Sequence, residues 1–76
     1  MIQITERQEQ MVAELKERYQ WRNISLNTRI VYELWPQLFG VKKRPNGCNA
    51  CLRADLNAFF QKWDQLAREG EIEVID

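Results

Sequence analysis

Leu52, Leu56, Phe59, Phe60, Trp63, Leu66 and Ala67 recur at intervals of three and four residues, a spacing that an α-helix gathers onto one face. No other stretch of the chain offers as much aromatic surface, so a helix through these residues is the element against which the rest must pack. Gly70 follows as its natural terminator, and the turn residue Gly47 stands before it. The spacing predicts a helix from Asn49 or Ala50 to Glu69.

With 76 residues the chain is one domain, 1–76, near the size at which a single core only just suffices. Three Trp, three Phe and two Tyr within a 45% apolar composition are ample for such a core, which excludes disorder of the whole chain. No apolar run approaches the ~20 residues needed to span a bilayer. The start, Met1 to Arg7, lacks the basic head and apolar centre of a signal peptide. The expected location is the cytoplasm, that of an infected host cell included, with both cysteines reduced.

Two further helices are predicted upstream. The first runs from about Thr5 to Gln20, capped near Thr5 or Ile4, with Ile4, Met11, Val12, Leu15 and Tyr19 as a narrow apolar stripe. Asn23, Ser25 and Asn27 mark a connection. The second helix starts near Thr28 with Asn27 as its cap, and carries the wide stripe Leu26, Ile30, Val31, Leu34, Trp35, Leu38 and Phe39. Pro36 interrupts it by removing a backbone donor and crowding the carbonyl of Tyr32, so a kink, or a stop at Trp35, is expected. Gly40 closes it as a left-handed cap. The trios Ile2-Gln3-Ile4 and Ile72-Glu73-Val74 alternate apolar and polar, a strand pattern. The two ends pair into a small ribbon, or the tail docks extended, or it orders only on a partner. The fold class is all-α: a small three-helix domain, its second helix kinked at Pro36, with short extended segments at the termini.

Cys48 and Cys51 form a CxxC at the head of the third helix. Thioredoxin-type chemistry needs a strand directly before that motif, and Val41 to Gly47 is a loop. A closed zinc site needs four ligands, whereas the chain holds two Cys and no His. Zinc thus enters only as an alternative, a dimer in which two copies each donate Cys48 and Cys51. The plain reading makes Cys51 a small buried hydrophobe and Cys48 incidental.

Formal charge sums to zero, yet residues 23–53 hold five bases against one acid and residues 54–76 hold two bases against six acids. Lys42, Lys43 and Arg44 form a basic loop. Asn49, Arg53 and Asn57 follow at intervals of four along one helix face, and Asn and Arg are groove-reading side chains. This supports a small DNA-binding protein of helix-turn-helix type as an alternative. Overall neutrality and an acidic end to the same helix count against it.

Catalysis finds little support, with no His and no Gly-rich phosphate loop. The aromatic residues exceed what three short helices easily bury, which nominates Trp21, Trp35 and Trp63 as anchors for a partner. The expected function is a non-catalytic protein-interaction module, binding a larger protein or copies of itself as an assembly component or inhibitor, without a cofactor and away from membranes. In size and make-up the chain is similar to the compact accessory proteins of phages and other mobile elements, a likeness that no motif carries.

Overall fold

The computed structural model describes residues 1–20, 28–45 and 47–75. Strand β1 (Ile2–Ile4) leads into helix α1 (Glu6–Gln20), followed by α2 (Arg29–Phe39), α3 (Asn49–Arg68) and strand β2 (Ile72–Val74). The all-α reading holds, and of the three outcomes offered for the tail it is the ribbon that forms: the two trios of alternating residues pair with each other.

The helix ends show why each element starts and stops where it does. Thr5 forms a reciprocal box with Gln8: its hydroxyl accepts from the Gln8 N–H at 3.1 Å, while Gln8 Oε1 accepts from the Thr5 N–H at 2.8 Å. Gly40 takes φ 75° and donates its N–H to the Pro36 carbonyl at 2.8 Å, closing α2 in the left-handed turn that glycine adopts without steric cost. α3 ends in a Schellman arrangement, with Gly70 donating to Ala67 at 3.2 Å and Glu71 to Leu66 at 2.9 Å. The stop at Trp35 is not observed; α2 runs helical through Pro36 to Phe39. Its burial explains why, because Ile30, Val31, Leu34, Trp35 and Leu38 are all buried and packing outweighs the bond that proline forgoes. The cap assigned to Asn27 lies outside the described residues. Thr28 precedes the helix without a side-chain capping bond.

The core is built from β1 and all three helices, with β2 laid against it. Ile2 and Ile4 from β1, Val12 and Leu15 from α1, Ile30, Val31, Leu34, Trp35 and Leu38 from α2, and Leu56, Phe59 and Phe60 from α3 are buried together, with Ile72 of β2 half-buried against them. Phe59 is wholly enclosed, its ring centroid 5.6 Å from Phe60 and 5.9 Å from Trp63. The α3 face ends one residue earlier than its spacing suggests, since Leu66 packs against the core while Ala67 is exposed.

The strands run parallel, with Ile2 opposite Ile72, Gln3 opposite Glu73 and Ile4 opposite Val74. Parallel neighbours need a long crossover, and here the three helices supply it. Ile2 and Ile4 point into the core while Gln3 and Glu73 meet on the outside, where Gln3 Nε2 donates to Glu73 Oε2 at 3.4 Å. Among the described residues no helix is long and apolar enough to cross a membrane.

Candidate functional site

Chemistry concentrates where the loop after Gly40 enters α3. Asp55 lies three residues after Leu52 and four before Phe59, so the helical spacing places it on the buried face; it is only 6% exposed. Its carboxylate accepts from the Lys43 ammonium at 2.7 Å and from the Tyr32 hydroxyl at 3.0 Å. Lys43 in turn stands over the Trp35 ring, 4.9 Å from its centroid. Trp35 is stacked between Tyr32 at 6.4 Å and Phe39 at 4.2 Å. A buried carboxylate requires such partners. Tyr32 is pushed up to about 12, first by burial and then by the hydrogen bond and negative charge of Asp55.

This knot fixes the loop to the body of the molecule. Lys43, part of the basic loop in the DNA-binding alternative, is paired with Asp55. Lys42, Arg44, Asn49 and Arg53 are exposed, while Asn57 accepts a hydrogen bond from the Tyr19 hydroxyl at 2.9 Å. All six residues of the DNA reading are thus exposed, and two of them, Lys43 and Asn57, also bond to side chains within the fold. No acidic residue occurs from Val41 to Ala54, so with Asp55 offset by Lys43 the exposed charge of this corner is positive.

Cys48 is more than incidental, because it is the N-cap of α3. Its backbone is extended, at φ −95° and ψ 119°, and its Sγ accepts from the Cys51 N–H at 3.2 Å. Both residues are thiols, Cys48 exposed and Cys51 half-buried. Hydrogen bonding from the Cys51 thiol, then from the Cys51 N–H, holds the Cys48 thiol below the usual range; some desolvation opposes this, and the Ala50 N–H adds to it. Cys51 thus faces partly inward, close to its plain reading. Among the described residues no three His, Cys, Asp or Glu side chains gather as a metal-holding group.

The aromatic anchors separate clearly. Trp21 lies outside the described residues. Trp35 is only 6% exposed beneath Lys43 and Phe39, so its ring is closed to a partner and works as core instead. Trp63 is half-buried, one side against Phe59. Among the described residues the exposed large apolar side chains are Met1, Val41, Val74 and Ile75, two of them at the tail.

Among the described residues, one edge of β2 carries no neighbouring strand. Ile2 donates to the Glu71 carbonyl at 2.7 Å and Ile75 donates to the Ile4 carbonyl at 2.9 Å. In a parallel ladder alternate residues bond to the same neighbour, so Glu71, Glu73 and Ile75 turn their backbone groups towards β1. Ile72 and Val74 turn theirs away, and no described strand lies on that side. Such an edge is a template for a further strand.

No family model matches the chain, and neither does any curated protein or solved structure. What fold and site define is a class: a small three-helix domain sealed by a parallel strand pair, with a cationic dithiol corner at the head of α3 and, among the described residues, an unpaired strand edge at the tail.

Proposed function

We propose that the protein is a non-catalytic interaction module, an assembly component or inhibitor that takes an extended segment of a larger protein along the outer edge of β2. The observation that carries this reading is the outward backbone of Ile72 and Val74, flanked by the exposed side chains of Val74 and Ile75. Main-chain hydrogen bonds give such a contact its affinity, and alternate side chains give it selectivity. Glu71 and Glu73 are engaged on the β1 side, with the Met1 amine at 3.4 Å and the Gln3 amide at 3.4 Å, so selectivity at the outer edge falls to the exposed Val74 and Ile75. The test is amide hydrogen exchange on the complex with a partner isolated from the native host. Ile72 and Val74 amides should gain protection on binding, and Val74→Pro should abolish the complex without altering the helical circular dichroism. A complex that leaves those two amides unprotected rules the reading out.

A second reading, a small DNA-binding protein, has the exposed Lys42, Arg44, Asn49 and Arg53 as its support. It requires retention on DNA at low salt that weakens steeply as salt rises, since phosphate contacts release counterions. Passage through a DNA column at low salt removes it.

A further inference from the structure

We infer that Cys48 and Cys51 are half of a zinc site which the same pair from a second copy of the chain completes. The two thiols sit across the first turn of α3, with the Cys48 Sγ already accepting a hydrogen bond from the Cys51 N–H at 3.2 Å. That bond holds the exposed Cys48 sulfur at the head of the helix, with the half-buried Cys51 on the same first turn. Gly47, Asn49 and Ala50 around them are exposed and small, leaving the corner open to close approach by another molecule.

Ligand number decides the stoichiometry. A structural zinc is tetrahedral and wants four donors. The chain supplies two cysteines and no histidine, and the nearby carboxylate of Asp55 is held by Lys43 and Tyr32. Two copies supply four sulfurs. On binding, four thiols release four protons, and a Zn²⁺ ion takes four S⁻ donors to give a centre of net charge −2.

Charge provides the independent support. Each corner exposes Lys42, Arg44 and Arg53 with no acid between Val41 and Ala54, so two bare corners repel. A doubly negative tetrathiolate between them converts that repulsion into attraction. Association through this face therefore depends on the metal. The inference is independent of the strand edge at β2.

The experiment is native mass spectrometry of the reduced full chain with half an equivalent of Zn²⁺. The expected species is two chains with one zinc, falling to half its mass on chelation. Cys48→Ser keeps a capping oxygen for α3, so it should retain native helicity while losing both zinc and dimer. A monomer without zinc, a monomer carrying its own zinc, or a dimer indifferent to chelation and to Cys48→Ser each overturns the inference. Hydrogen exchange at Ile72 and Val74 in the Cys48→Ser protein reports the strand edge separately.

Discussion

Replacing Asp55 tests whether the knot under the α2–α3 loop stabilises the fold. Alanine strips the acceptor from the Tyr32 hydroxyl, 3.0 Å away, and from the Lys43 ammonium, 2.7 Å away. A hydrogen bond to a charged group contributes about 1.5–3 kcal/mol. The Lys43 side chain is 40% exposed, so solvent screening limits its ion pair to roughly 1 kcal/mol or less. Asp55→Ala should therefore cost about 2–4 kcal/mol. Asp55→Asn retains an oxygen for Tyr32 and loses the charge, costing about half as much. Urea unfolding separates them: with a slope near 1 kcal/mol per molar for so small a domain, the alanine midpoint should fall by about 2 M or more. Equal losses for the two variants, or an alanine loss below about 0.5 kcal/mol, would refute the reasoning. Phenolate absorbance gives a second readout. Tyr32 titrates at about 12 in place of the usual 10.0, so the folded state prefers the neutral phenol. The stability this contributes is complete below pH 10.0 and is lost as pH rises through about 12. In Asp55→Asn the Tyr32 titration should move part of the way down only, because burial is the larger cause and stays.

Phe59→Ala removes the largest fully buried side chain among the described residues and should cost about 3–5 kcal/mol, enough to abolish a cooperative thermal transition followed by circular dichroism. Gly40→Ala meets no atom within 4 Å of its new Cβ, so its cost is the left-handed backbone alone, about 1–2 kcal/mol. A loss well above that range in calorimetry contradicts this account. The rate of iodoacetamide alkylation at Cys48 should rise with pH around a midpoint below that of an ordinary thiol. Cys51→Ala should return that midpoint upward by removing the leading hydrogen-bond donor. Thiolate stabilisation at this cap is present above the usual value of 9.0 and fades as pH falls through the lower folded one.

Much of the architecture was legible because local signals agreed with global packing. The α3 periodicity, the Thr5 cap and the terminators Gly40 and Gly70 each depend on neighbours within five residues, which a sequence displays directly. Pro36 left a choice between a helix that continues and a stop at Trp35, because its local cost is visible in the sequence and the burial that outweighs it is not. Strand alternation at both ends was readable, but a trio carries no direction. The parallel pairing follows from where three helices deliver the ends. Asp55 carried an overlooked signal, an acid at the three-then-four spacing between Leu52 and Phe59, which demands a buried base or donor. Its partners Lys43 and Tyr32 come from other segments and could not be named from spacing. Trp35 was nominated as an anchor on residue type alone; its depth was set by Lys43 and Phe39 closing over it. The capping role of Cys48 was hidden because sulfur is an uncommon cap.

The pairing of β1 with β2 also sets how the molecule bears load. Because the two strands point the same way, Met1 and Ile75 leave the ribbon at opposite ends. Tension applied between them slides one strand along the other, and the bonds from Ile2 to Glu71 and from Ile75 to Ile4 share the strain together. An antiparallel clasp pulled from adjacent ends would open one rung at a time. A tether attached at head and tail would thus find a mechanical lock protecting the helices behind it.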